Sequence, residues 1–420
     1  MKVPTASSLG PLNNRSVVVI IGGGPAGTTC AIALKKLAQA RGITPRIVLY
    51  EGKIFEKKSY YNQCLGVLSP PLDKIMADDL GLPFPYHLIQ RQIDGYVIHT
   101  DMSELLLAGE HQPSYACRRV EFDDYLFQQV KELGIETYQA RVTEIEISSE
   151  RVMVFSEVNN IRADVVVGAF GLDDGLARIF EWRTPYRQPH FLYSVVTKIH
   201  PGEEAMKKFG NYIHAFLLSA AKGVEFGAIT PKGNHLSLNI AGKKIEAESM
   251  ENFLDLPQVR KTLPSTALAL IPELYYFKGK FPTSPGRGII GDRYVMIGDA
   301  AGLNRPFKGK GINSALITGI NAARVMVEHG ISRKAFTKYL EYCQELRADI
   351  PYGIIFRELV LLGLKLKLLD KIIASAKHNP RLKQAFFDIV SGQNTYRNIW
   401  KQTKSFRLLY QLGINLLHIK

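Results

Sequence analysis

Residues 16–21, Ser-Val-Val-Val-Ile-Ile, run directly into Gly22-Gly23-Gly24-Pro25-Ala26-Gly27 and then into a stretch, 28–40, that reads as a helix. A β-branched apolar run of this kind predicts a strand buried on both faces, as in a parallel sheet. The six residues between strand and helix match GxGxxG in the strand-turn-helix context that gives the pattern its meaning. Gly22 permits the tight turn, Gly24 lets the backbone approach a pyrophosphate, and Gly27 lets the helix pack closely on the strand. The helix N-terminus then turns its partial positive charge toward the phosphates. A second strand over residues 46–50 ends at Glu51, 24 residues after Gly27, where a carboxylate accepts hydrogen bonds from a ribose. The chain therefore opens with a Rossmann-like dinucleotide site.

A second glycine-rich segment lies far downstream. Residues 294–297 read as a strand, followed by Gly298-Asp299-Ala300-Ala301-Gly302, then Pro306, Gly309, Gly311, Ile312 and Asn313 leading into a helix over 312–329. Between the two segments, Arg119-Val120-Glu121-Phe122-Asp123 opens a helix to Leu133, and residues 163–169 form another buried strand. Together these segments resemble the fingerprints of the p-hydroxybenzoate hydroxylase-like flavoproteins. The resemblance implies FAD, with Asp299 on its ribityl and ribose side, the following glycines near the isoalloxazine and Arg119 along the pyrophosphate. The cofactor-binding residues so implied are Gly22, Gly24, Pro25, Ala26, Gly27, Glu51, Arg119, Gly298, Asp299, Ala300, Pro306, Gly309, Gly311 and Ile312. Phe170 stands where those proteins carry the Asp of a further Asp-Gly motif, a departure that weighs against direct use of NADPH.

Within that superfamily the chain is similar, over nearly its whole length, to the geranylgeranyl reductase family. Tyr60-Tyr61-Asn62-Gln63-Cys64-Leu65-Gly66 resembles the reductases' Cys-x-Gly loop beside the flavin, which makes Cys64 the candidate catalytic residue. Arg305-Pro306-Phe307-Lys308-Gly309-Lys310-Gly311-Ile312 resembles their Pro-x-x-Gly-x-Gly-Ile. Phe226-Gly227-Ala228-Ile229-Thr230-Pro231 occupies the place of their Tyr-x-Trp-x-Phe-Pro, so two of three aromatic rings are replaced, by Ala228 and Thr230. The resemblance implies reduction of carbon-carbon double bonds in a polyprenyl or similarly apolar substrate. Two other activities stay open on this scaffold: an FAD-dependent monooxygenase that hydroxylates or epoxidises an apolar substrate, and a flavin electron-transfer protein with no substrate of its own. The halogenases' Trp-x-Trp-x-Ile-Pro is missing, because Trp182 and Trp400 stand 218 residues apart.

These motifs predict an α/β architecture: a Rossmann-like FAD-binding domain, an inserted antiparallel-sheet substrate domain and a C-terminal helical segment. The boundaries read as 1–79, 117–178 and 284–330 for the discontinuous FAD-binding domain, 80–116 and 179–283 for the substrate domain, and 331–420 for the helical region. Strand-like runs at 191–199, 215–219 and 236–240 carry the insertion.

Charge adds a candidate partner. The chain carries a net +14, and residues 350–420 hold twelve Lys or Arg against Glu358, Asp370 and Asp388. With wide apolar arcs at 353–377 and 399–419, this segment suits an anionic membrane surface. No recognised nucleic-acid module accompanies the charge, so nucleic acid is not an expected partner. No 18-residue stretch is apolar enough to span a bilayer. Four well-separated cysteines and scattered histidines indicate neither a disulfide framework nor a metal site, and the expected location is the cytoplasm, peripheral on the membrane's inner face. The electron donor is not readable.

Overall fold

The structure is a computed structural model that describes residues 9–53, 64–109, 112–306 and 311–403. Along the chain, Val17–Ile21 (β1) leads through the glycine turn into Pro25–Ala40 (α1), and Arg46–Tyr50 (β2) returns parallel to β1. Gly95–His99 (β3) and Glu104–Ala108 (β4) form a hairpin, followed by Arg119–Glu132 (α2), Glu136–Tyr138 (β5), Val165–Gly168 (β6) and Asp174–Arg183 (α3). Next come Phe191–Ile199 (β7), Tyr212–Phe216 (β8), Phe226–Pro231 (β9), Leu236–Gly242 (β10) and Phe277–Pro282 (β11). The chain then re-enters the first sheet with Ile290–Gly291 (β12), Tyr294–Met296 (β13) and Gly311–Glu328 (α4). It continues as Gln344–Lys365 (α5), Leu369–Lys377 (α6), Pro380–Ser391 (α7) and Tyr396–Thr403 (α8).

The first sheet has the order β12-β13-β6-β1-β2-β5 and is parallel except for its short edge hairpin, β12 against β13. Val18, Val19 and Ile20 are fully buried because helices cover both faces, which is why this strand tolerates no alternation with polar residues. From β1 the chain moves to one side for β2, and β6 lies on the other. The C-terminal end of β1 is thus a topological switch point, where open α/β sheets hold ligands. Helix α4 lies against α1 at very short range: a Cβ on Gly319 would sit 2.6 Å from the Ala26 carbonyl oxygen.

The second sheet has the order β11-β7-β10-β9-β8-β3-β4. It is antiparallel as expected, with one exception: β8 runs parallel to β3. The neighbour of β8 comes from the separate β3–β4 hairpin more than a hundred residues upstream, so no tight turn forces the pair to be antiparallel. One face of β9 and β10, with Ile229, Leu236, Leu238 and Ile240, is fully buried in a cluster with Met250, Phe253 and Leu254 of helix Ala247–Leu254.

Across β3 and β8, His99 Nε2 lies 2.8 Å from His214 Nδ1, and the two rings stack. Burial pulls the His99 pKa down to about 4 and that of His214 to about 3, the latter also lowered by His99; His235 falls to about 3 by burial and the nearby Lys232. In the unfolded chain these imidazoles titrate near the usual ~6.5. Between about pH 6.5 and 4 the unfolded state therefore binds more protons, so the stabilisation is complete above that window and is lost as pH falls. Each histidine contributes a slope of up to about 1.4 kcal/mol per pH unit. Urea midpoints should drop steeply from pH 7 to pH 5; a flat profile would show that these histidines take up protons in the fold as readily as in the unfolded chain.

The 353–377 run is two helices rather than one, because Lys367 adopts φ 53° and ends α5 one turn before α6 begins. Helix α5 is tied to the second sheet by Arg357, whose guanidinium donates to both Glu225 carboxylate oxygens at 2.7 and 2.6 Å. Its other face carries Ile355, Leu359, Leu362 and Leu366, 40–54% exposed. Among the described residues no helix is long and apolar enough to cross a membrane.

Candidate functional site

The site grows from the glycine turn. Gly22 has φ 110°, and a Cβ there would fall 2.4 Å from the Ala169 carbonyl oxygen, so only glycine brings β1 this close to the end of β6. A Cβ on Gly27 would approach the Gly22 oxygen to 1.9 Å. Gly24 differs from both: a Cβ there meets nothing within 4 Å. The turn therefore has an open flank at the very residue where a dinucleotide pyrophosphate would lie. Helix α1 starts at this point with Pro25 in its first turn and no side chain capping its N-terminus.

Glu51, at the end of β2, accepts from the backbone N–H of Gly23 and of Lys53, both at 2.8 Å. These bonds hold the carboxylate against the turn while leaving further lone-pair sites for a ribose hydroxyl. Arg119 opens α2, and its Nε donates to Asp123 at 2.6 Å, one helical turn along, with both side chains largely buried. Burial works against the Arg119 charge, but Asp123, Cys64 and Asp299 hold its pKa up. The Asp299 carboxyl is raised by burial, with Arg119 opposing that rise. Asp299 lies in a one-turn 3-10 segment, Gly298–Ala300, between β13 and α4, and a Cβ on Gly311 would be 3.0 Å from its Oδ1. A Cβ on Gly298 would come within 2.7 Å of Ala26 Cβ, which places the second fingerprint directly over the first.

The fold thus brings Gly22, Gly24, Pro25, Ala26, Gly27, Glu51, Arg119, Gly298, Asp299, Ala300, Gly311 and Ile312 to one end of the parallel sheet. Pro306 lies slightly apart, packed where a Cβ on Gly353 of α5 would approach it to 2.9 Å. Gly309, with the rest of 307–310, and the 60–63 part of the cysteine loop lie outside the described residues, as does 404–420 of the second C-terminal arc. Cys64 is partly exposed. Its Sγ accepts from the Gly66 N–H at 3.2 Å, and its carbonyl oxygen receives Lys232 Nζ at 3.4 Å.

Two features escape a reading of the sequence. Arg305, inside the second fingerprint, donates to the Gly392 carbonyl at 2.6 Å and to Asp349 at 3.2 Å, and its guanidinium stacks 4.4 Å from the Tyr396 ring. The C-terminal helices therefore clamp the loop that follows Asp299; a charged residue amid glycines was the available signal. Lys232 is 2% exposed and donates to the carbonyls of Cys117 (3.0 Å) and Cys64, tying the second sheet to the cysteine loop. Phe170 is buried and stacks on Phe180, ring centroids 5.3 Å apart. In place of a carboxylate it contributes to an aromatic cluster with Tyr186, whose hydroxyl donates to the Ala300 carbonyl at 2.9 Å.

A glycine turn with an open flank at the switch point of a parallel sheet, overlaid by a returning Gly-Asp segment, is the arrangement in which open α/β folds hold a dinucleotide. The comparisons agree. No protein-family model matches the chain. It is 25% identical over 336 residues to a digeranylgeranylglycerophospholipid reductase of Methanothrix thermoacetophila, covering 75% of this chain and 78% of that one. A geranylgeranyl bacteriochlorophyll reductase-like protein of Thermoplasma acidophilum superposes with a TM-score of 0.67 at 18% identity, covering 96% of this chain and all of the other. The flavin-dependent brominase Bmp2 matches with the same TM-score, 18% identity and coverage of 92% and 98%. The chain has the fold of the flavin-dependent oxidoreductases, and along most of its length it is similar to geranylgeranyl reductases.

Proposed function

We propose that this protein binds FAD and reduces carbon-carbon double bonds of an isoprenoid or similarly apolar lipid, working as a peripheral enzyme on a membrane. The observation that carries the reading is the open flank at Gly24, in a turn that holds Glu51 and is overlaid by the Gly298–Ala300 segment carrying Asp299, in a chain similar to geranylgeranyl reductases along most of its length. We take 1–79, 117–178 and 284–330 as the cofactor unit, 80–116 and 179–283 as the substrate unit, and 331–420 as the helical cover.

When bound, the flavin supplies the hydride; the protein supplies binding, orientation and protons. Gly24 leaves room for the pyrophosphate, and the N-terminus of α1 offers it backbone dipoles. Arg119, held in place by Asp123, offers a fixed positive charge. Glu51 and Asp299 place carboxylates for ribose and ribityl hydroxyls. Cys64 Sγ, partly exposed and held by the Gly66 N–H in a segment that Lys232 ties to the second sheet, is the group to test as a proton source. Ala228 and Thr230, which stand where the reductases carry aromatic rings, share one face of β9 and are both buried. A product heavier by two hydrogens per reduced bond supports this activity. A product heavier by one oxygen supports the second reading, a monooxygenase, which the equally good superposition on a brominase keeps in view.

The membrane part of the proposal rests on the exposed stripe of α5 and on the excess of Lys and Arg over residues 350–420. Truncation after Ser391 is a poor probe, since it removes Tyr396 and Ile399, both essentially buried. The pair Leu359→Glu and Leu362→Glu leaves the core intact and should lower binding to vesicles containing anionic lipid by tenfold or more, an effect of about 1.4 kcal/mol or above. Unchanged sedimentation with vesicles would remove the membrane from the account.

A further inference from the structure

The second sheet has two unlike faces. Its apolar face is the cluster around Leu236, Leu238 and Ile240. The opposite face follows from the register: Thr230 of β9, Ser237 of β10 and Lys198 of β7 lie side by side, and Ala228, Asn239 and Val196 form the next row. Side chains two residues apart on a strand share a face, so Ser237 and Asn239 point together, and His235 just before the strand continues their row. Four of these side chains carry a polar atom that is buried and has no hydrogen-bond partner: Thr230 Oγ1, Ser237 Oγ, Asn239 Oδ1 and His235 Nε2. The residues are at most 9% exposed.

The strip is directed toward the cysteine loop. Lys232, next on this face of the chain after Thr230, reaches the carbonyl oxygens of Cys64 and Cys117. Leu65 and Val67 pack against the cluster that contains Ala228 and Ile213. Lys232 and the packing of Leu65 and Val67 therefore tie the polar face to the cysteine loop.

Orphaned buried polar atoms are rare in folded proteins and destabilise them, and valine, alanine and leucine would fill the same volume without that cost. The chemistry of the four atoms is mixed. The two hydroxyls donate and accept. Asn239 Oδ1 accepts only, and His235, whose Nδ1 lies 3.2 Å from Asn234 Oδ1, presents its other ring nitrogen. A hydrocarbon satisfies none of them. An anion would satisfy the hydroxyls and oppose the carboxamide oxygen. A hydroxyl group, donor and acceptor at once, suits all of them.

We infer that the strip Thr230–Ser237–Asn239, continued by His235, is a recognition element for a hydroxyl-bearing group of the substrate, so that the lipid taken by this protein is an isoprenoid alcohol or a similarly hydroxylated chain rather than a bare hydrocarbon tail. The inference rests on the isoprenoid reading above and makes it specific. Because the strip is sealed from solvent, entry of the ligand requires the sheet and the 64–67 segment to part.

The test uses the full-length, oxidised, FAD-loaded protein, so that binding is read without catalysis. Geranylgeraniol and the C20 hydrocarbon with the same double bonds but no hydroxyl are titrated in turn, following the flavin absorbance. The alcohol is expected to bind at least about tenfold more tightly, and Thr230→Val with Ser237→Ala should abolish that preference by weakening the alcohol alone. Equal affinities, or a preference that survives in the variant, would overturn the inference. If neither probe perturbs the flavin, the isoprenoid reading fails and thermal unfolding of the cofactor-loaded variant decides the strip. A melting temperature raised by about 2 °C or more shows that the hydroxyls are kept at the expense of stability, as a recognition element requires. A lowered one shows that they serve the fold and overturns the inference.

Discussion

Gly24→Val is expected to yield a folded protein that contains no flavin. The residue has φ −73°, which any amino acid adopts, and a Cβ there meets nothing within 4 Å, so the substitution adds no strain to the polypeptide. The same side chain fills the volume needed by a pyrophosphate lying on the turn. Gly27→Val is the control: its Cβ would meet the Gly22 oxygen at 1.9 Å, and the first strand and helix could not pack. The two glycines are three residues apart and should fail in opposite ways. Gly24→Val should show a native circular dichroism spectrum, a cooperative melt and no 450 nm absorbance, whereas Gly27→Val should be recovered largely unfolded. A yellow, fully loaded Gly24→Val protein would place the cofactor elsewhere.

Arg119→Ala is expected to cost stability as well as cofactor affinity. The Arg119 and Asp123 side chains are 16% and 8% exposed. Burial pushes the Asp123 carboxyl up and Arg119 opposes it, so removing the guanidinium strands a carboxylate in a site that disfavours its charge. Breaking a buried pair from one side costs about 3–5 kcal/mol, a large share of the ~5–15 kcal/mol that holds a domain folded. Removing both partners, Arg119→Ala with Asp123→Ala, should restore part of that loss, since no charge is then left unpaired. Flavin affinity should stay low in both variants, which separates the structural role of the pair from its role at the phosphates. Denaturant midpoints and flavin content of the four proteins form the cycle. Additive losses in stability would show that the two residues act independently.

The parts of this architecture that could be read in advance are those written in adjacent residues. The strand, turn and helix at 16–40 are local, and each glycine has its own steric reason, so the element boundaries differ from expectation by only a few residues. The Gly-Asp segment before α4 is local in the same way. The remainder depends on pairings that no spacing reveals. His99 and His214, 115 residues apart, looked like separate structural histidines and instead form one hydrogen-bonded stack. Arg357 and Glu225, 132 residues apart, join the C-terminal helix to the second sheet. The alternation of residues 236–240 announced a strand, but which face met Phe253 and which met the cysteine loop was decided only by the register with β7 and β9. The polar strip was hidden for that reason. Arg305 was visible as a charge in a glycine-rich loop, yet its partners near Asp349, Gly392 and Tyr396 come from helices outside that motif.

The central claim is that a flavin held at Gly24 passes its electrons to a double bond of a lipid. The direct measurement is to reduce the flavin-loaded protein under nitrogen and add a geranylgeranyl lipid while following flavin absorbance and the mass of the lipid. Return of the oxidised spectrum together with a lipid gaining two hydrogens per flavin is the predicted result. A flavin that stays reduced until oxygen is admitted, with the lipid unchanged, would contradict it.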